Sequence, residues 1–165
     1  MITTYIQRIG WFAGLLLLQV LILNNVHIFG YATPFLYIYF VLKLSSDTSC
    51  NSLMIWAFCL GLAVDIFSDT PGINAAATTL LAFLRPSFLR LFTPRDNLDS
   101  FVPSIGSIGV SSFLKYTVVC VSVHHLVLLS LELFSLATFG LLLWRIVACT
   151  LLTIVCVLAV EGIRK

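Results

Sequence analysis

Five side chains in this sequence could do chemistry despite apolar surroundings: Asp65, His124, His125, Glu132 and Arg145. Each stands in or at the edge of a long hydrophobic run, where an ionisable group is costly unless partnered. At about 1.5 Å of helix rise per residue, Arg145 falls about 10 Å below one face of a bundle, with Asp65 slightly below that face. The histidines lie near the depth of Arg145. His125 and Glu132, seven residues apart, share a helix face, whereas His124 points elsewhere. Two uses are open. The group can form a polar site for a ligand, a proton relay, or a metal held by two histidines and a carboxylate. Alternatively it holds the fold, with Asp65 and Arg145 paired between helices and the histidines bonded to neighbouring backbone or side chains. No H-E-x-x-H spacing, nucleophile elbow or glycine-rich phosphate loop accompanies these residues. The expectation is therefore no enzyme, no cofactor and no metal.

The elements that must position these groups follow from composition. Of 165 residues, 60% are hydrophobic and 10% charged, against about 25% charged in an ordinary soluble domain. So few charges cannot cover a soluble core, which points to a single all-α integral membrane domain over 1–165. A net charge of +2 gives no reason to expect nucleic acid. Cys50, Cys59, Cys120, Cys149 and Cys156 lack C-x-x-C spacing and read as small apolar packing residues.

The apolar runs predict six spans, at about 9–29, 32–44, 52–67, 73–92, 111–131 and 138–160. The first resembles a signal sequence in length, but no small-x-small site follows, so it is expected to stay as an uncleaved span. Gly10 and Gly14 give it a G-x-x-x-G face. From Pro34 the second span is short, about 16 Å if helical. It must be kinked, partly unwound, or a re-entrant piece shielded by protein. In the fourth, Arg85-Pro86 is expected to interrupt the helix near Leu84. A short interfacial helix over 87–92 would follow, with Arg85, Arg90 and Arg95 at headgroup level. A polar, turn-rich stretch from Thr93 to about Gly109 comes before the fifth. Arg8, Lys43, Arg90, Arg95, Arg164 and Lys165 fall on one side, and the opposite loops (24–33, 68–72 and 131–137) carry no Lys or Arg. The positive-inside rule then makes both termini cytoplasmic.

The third and fourth spans meet at Gly61-Leu62-Ala63-Val64-Asp65-Ile66-Phe67-Ser68, followed by Pro71-Gly72-Ile73-Asn74-Ala75-Ala76-Ala77 and Leu84-Arg85-Pro86. This hairpin resembles that of the MreD family of bacterial rod-shape-determining membrane proteins. The run from Asn24 to Tyr31, Pro34-Phe35-Leu36-Tyr37-Ile38, His124-His125 and Leu131-Glu132 look like the form found in Bacteroidetes-type bacteria. The resemblance covers nearly the whole chain. It implies a non-enzymatic scaffold of the cell-elongation machinery in the cytoplasmic (inner) membrane. Its main partner would be MreC, with MreB, RodA and a class B penicillin-binding transpeptidase bound directly or through MreC. It also implies a fold similar to the six-helix substrate-binding subunit of energy-coupling-factor transporters. The alternative function is accordingly a small-molecule-binding subunit of such a transporter, although the A-x-x-x-A docking face of those subunits is incomplete, Leu17 standing four residues after Ala13. The candidates for structural or partner-binding roles are Gly10, Gly14, Gly61, Asp65, Gly72, Asn74, His124, His125, Glu132 and Arg145.

Overall fold

The structure, a computed structural model, describes residues 2–25, 33–93, 100–132 and 139–163. Among them the regular elements are all helical: α1 (Ile2–Leu21), α2 (Ile38–Lys43), α3 (Cys50–Ser68), α4 (Ile73–Phe92), α5 (Ile105–Ile108), α6 (Val110–Glu132) and α7 (Phe139–Ile163). The α1, α3, α4, α6 and α7 segments are long and apolar enough to cross a bilayer. Their outward faces are apolar as well, with Ile55, Ile66, Leu91, Leu126, Trp144 and Val155 among the exposed large side chains. That surface suits a lipid surround rather than water.

The Asn24 side-chain amide donates to Ser68 Oγ at 2.8 Å, which brings the ends of α1 and α3 together. The two helices are therefore parallel, and the chain must return between them. It does so through the centre. From Leu36 to Leu42 every residue is buried, with Tyr37, Ile38, Tyr39, Val41 and Leu42 at 0% exposure. The second expected span is thus a partly unwound segment that becomes the six-residue α2, shielded by protein along its length. This arrangement satisfies the rule that backbone outside regular helices is tolerated at membrane depth only where protein covers it.

α3 and α4 form a close antiparallel hairpin, and α6 packs against α4 and α7. Two ends of the bundle can be named by their residues. The Asn24 end gathers Asn24, Ser68 and Asn74. At the Lys43 end, Ser46 and Phe101 exchange hydrogen bonds of 2.8 and 3.0 Å. Part of the stretch expected as linker is also ordered there. Ser104 and Ser107 cap α5 reciprocally, each hydroxyl accepting the other's backbone N–H. Arg95, Arg164 and Lys165, placed with that end from sequence, lie outside the described residues.

One expectation is overturned. Arg85-Pro86 does not interrupt α4, which runs unbroken through Pro86 to Phe92. Nor does Arg85 project outward: it is 2% exposed and turned into the bundle, beside the Leu42 and Leu44 carbonyls. The reason lies in phase. Asn74, Thr78, Leu81, Arg85 and Leu89 recur at helical spacing and are all buried, so the arginine belongs to the inward face of the helix.

Candidate functional site: a buried polar lattice around the central segment

Asp65 ends α3 one turn before its C-terminus. Its main-chain carbonyl accepts from Asp69 and Thr70, and Asp69 takes the left-handed conformation (φ 53°) that stops the helix. Gly72 follows at φ 79°, a conformation that favours glycine. The turn this makes aims the start of α4 at the Asp65 side chain. Oδ1 accepts from the Thr70 hydroxyl at 2.5 Å and from the backbone and side-chain nitrogens of Asn74, both at 3.0 Å. Oδ2 accepts from the Ala75 N–H at 2.8 Å. One helix thus supplies the carboxylate that caps the next, satisfying N–H groups that have no partner within their own helix and placing negative charge at the positive end of its dipole.

Gly61 makes the approach possible. A Cβ there would lie 2.3 Å from Thr78 Oγ1 and 2.5 Å from Ala75 Cα, so the backbones of α3 and α4 touch at this point. The Thr78 hydroxyl sits in the contact, 3.0 Å from the Ala57 carbonyl across the interface and 2.7 Å from the Asn74 carbonyl of its own helix.

The cap extends inward. Tyr37 donates its hydroxyl proton to Asn74 Oδ1 at 2.9 Å and lies 3.1 Å from His124 Nε2. Because that proton is committed to Asn74, Nε2 of His124 carries a hydrogen and donates to the Tyr37 oxygen. His124 Nδ1 has no hydrogen-bond partner among the described residues. His125 Nδ1 lies 2.8 Å from the Val121 carbonyl, which can only accept, so Nε2 is the acceptor for the Thr153 hydroxyl at 3.3 Å. Thr153 Oγ1 in turn accepts the Phe35 N–H at 3.0 Å. Gln19 on α1 donates to the Pro34 carbonyl at 3.0 Å and accepts from the Tyr37 N–H at 3.4 Å. The unwound part of the central segment is therefore hydrogen-bonded by α1, α4, α6 and α7.

A second set of polar groups holds the other end of the segment. Arg85 donates from Nη2 to the Leu42 carbonyl at 3.2 Å and to the Leu44 carbonyl, and from Nε to the Tyr116 hydroxyl at 2.9 Å. Its guanidinium thereby caps the C-terminus of α2, where unpaired carbonyls and the negative end of the helix dipole favour a cation. Glu161 accepts from the Tyr39 hydroxyl at 2.7 Å and the Ile105 N–H at 3.3 Å, and pairs with Lys43 at 3.0 Å.

Of the candidates named from sequence, Gly61, Asp65, Gly72, Asn74 and His124 come together in one connected structure. Arg145 does not join Asp65: it pairs with Glu132 at 3.0 Å, both side chains being partly exposed. The expected Asp65–Arg145 pair is therefore corrected, because the α4 N-terminus supplies the partners of the carboxylate. His125 and Glu132 share a helix face but not a site, one being buried in the bundle and the other exposed at its end. Among the described residues no three of His, Cys, Asp or Glu converge as metal ligands do. Gly10 and Gly14 lie on an open face of α1, with no atom within 4 Å of where a side chain would begin. Sequence reasoning missed Gln19, Tyr37, Arg85, Tyr116, Thr153 and Glu161. For Arg85 the helical phase shared with Asn74 and Thr78 was the available signal.

A cavity of about 360 Å³ opens at the Asn24 end, lined in part by Asn24, Asn25, Thr70, Asn74, Glu132 and Arg145. The fold and this lattice define a multi-pass α-helical membrane protein. No family model, curated protein or solved structure matches the chain.

Proposed function

We propose that this chain is a non-enzymatic scaffold of the MreD type in the bacterial cell-elongation machinery. It would bind MreC in the plane of the cytoplasmic membrane and connect through it to MreB, RodA and a class B transpeptidase. The observation that carries this reading is the use made of Asp65. Its carboxylate, which a catalyst or carrier could offer to a substrate, is taken up by the Thr70, Asn74 and Ala75 donors of its own hairpin. Gly61, Asp65, Gly72 and Asn74, on which the family resemblance rests, work together in that clasp, and this supports the assignment. In this reading the central segment is the second of six crossings, the Lys43 end is cytoplasmic with both termini, and the fold is of the transporter-subunit type. The apolar outer faces of the long helices are then the contact surfaces for partner helices.

A second reading, a small-molecule-binding subunit of an energy-coupling-factor-type transporter, is favoured by the polar cavity at the Asn24 end. Crosslinking a tagged copy in native membranes and identifying the captured proteins separates the two. Capture of a single-span coiled-coil protein with wall synthases is the expected result. Capture of paired ATPases with a membrane coupling protein would overturn the scaffold and make Asn74, Glu132 and Arg145 substrate contacts.

A further inference from the structure

We propose that the Lys43 end of α1 binds one anionic phospholipid, with its headgroup beside Arg8 and Lys43 and one acyl chain in the groove over Gly10 and Gly14. Two recesses on this face adjoin one another. A cavity of about 310 Å³ is lined by Arg8, Lys43 and Asp47 together with aromatic and aliphatic side chains that include Tyr39, Phe40 and Val102. A groove of about 460 Å³ runs over Gly10, Gly14 and Leu18, walled by Leu36 and Val160. Gln7, Trp11 and Leu15 line both. From Gln7 to Leu18 the combined recess follows α1 for about 16 Å. That is about half of a 30 Å hydrocarbon core, the depth of one leaflet.

The chemistry changes along that length as it does along a lipid. At the Lys43 end two cations, Arg8 and Lys43, line the cavity against one carboxylate, Asp47. Lys43 also pairs with Glu161. Arg8 lies over the Tyr5 ring at 5.8 Å, a contact that uses none of its N–H donors. Further along, the missing side chains of Gly10 and Gly14 leave a channel lined with apolar groups. The proposal goes beyond the scaffold reading and does not depend on it.

Trp11 lines both recesses and can report on the occupant. The full chain carrying Trp56→Phe and Trp144→Phe leaves Trp11 as its one tryptophan, since the sequence has three. It is reconstituted in phosphatidylcholine vesicles, and quenching is titrated with chain-brominated phosphatidylglycerol or chain-brominated phosphatidylcholine. Half-quenching is expected at an about fivefold lower mole fraction of the anionic lipid, the preference that one exposed cation contributes at a membrane surface. Arg8→Gln should remove the preference, and Gly14→Leu should weaken quenching by both lipids. Equal quenching by the two lipids overturns the proposal in favour of unselective surrounding lipid. Absence of quenching overturns it in favour of a protein segment in the groove. Should the double variant fail to fold, native mass spectrometry of the unaltered chain from mixed micelles decides the point: retention of one phosphatidylglycerol, lost in Arg8→Gln, supports the site, and retention of neither lipid or of both equally overturns it.

Discussion

The carboxylate of Asp65 lies 2.8 Å from the backbone nitrogen of Ala75, ten residues further on, at a point where Gly61 lets the two helix backbones touch. A capping residue ordinarily comes from the segment just before its helix. Here it comes from the preceding helix, so the cap and the hairpin are one structure, and loss of the carboxylate should loosen both.

Asp65→Ala leaves the first N–H groups of α4 without acceptors inside the bundle. The expected loss is about 2–4 kcal/mol, by analogy with lost caps and unpaired buried donors. Arg145→Gln should cost at most about 1 kcal/mol, because its pair with Glu132 is partly exposed. The effects of Asp65→Asn and Arg145→Gln should add in the double variant, as for independent sites. Thermal denaturation in detergent measures all of these, and recovery of stability in the double variant would show that the two residues are coupled.

Gly61→Ala places a methyl group against backbone rather than against a flexible side chain. The helices must separate, at a cost of about 1–3 kcal/mol. Gly10→Ala meets open space and should be neutral or stabilising by about 0.5–1 kcal/mol through helix propensity. The melting temperature should fall for Gly61→Ala and hold or rise for Gly10→Ala, and a Gly61→Ala protein as stable as the parent would contradict the close approach of α3 and α4.

For Arg85, Arg85→Met should sharply reduce accumulation of folded protein, because the Leu44 carbonyl and the Tyr116 hydroxyl lose their donor together and the Leu42 carbonyl keeps only the Tyr116 hydroxyl, at 3.3 Å. Each unpaired buried acceptor costs about 1–3 kcal/mol. Arg85→Lys should recover only part of this, since one ammonium cannot reproduce the planar fork. Exposed Arg90 on the same helix is the control: Arg90→Met should express at the parental level. Gel filtration of the detergent-solubilised variants gives the comparison, and a well-folded Arg85→Met would remove the cap from this account.

The Lys43–Glu161 pair has side chains 9% and 7% exposed. Breaking it with Lys43→Met alone leaves a nearly buried carboxylate, an expected loss of about 3–5 kcal/mol. Glu161→Gln in the same chain should restore much of that loss by removing the uncompensated charge while keeping hydrogen-bond capacity for Tyr39 and Ile105. A double-mutant cycle on unfolding measures the coupling, and simple additivity would rule out the pair as a source of stability.

Much of the architecture was legible because it depends on local chemistry. The turn over 68–72 is marked by its residue types, Ser68, Asp69, Thr70, Pro71 and Gly72, and the shortness of the apolar run from Pro34 to Leu44 requires a kinked or unwound crossing or a shielded segment. The fate of Arg85 was hidden by its neighbour. The Arg85-Pro86 pair reads as a helix end, because the residue before proline disfavours helix. In the bundle, packing on both sides carries α4 through it.

By itself the sequence determined that the chain is apolar enough for a membrane, that it contains helices long enough to cross one, and where α3 turns into α4. Apolar run length, proline and glycine act within a few residues and need no knowledge of the rest. Only the tertiary structure decided which polar group meets which: Asp65 with the start of α4 rather than with Arg145, Arg85 with the end of α2, and Tyr37 between Asn74 and His124. Such pairings depend on the rotation and depth of each helix against neighbours far away in the chain. A buried charge has an obligatory need for a partner but carries no local mark of which partner it will find.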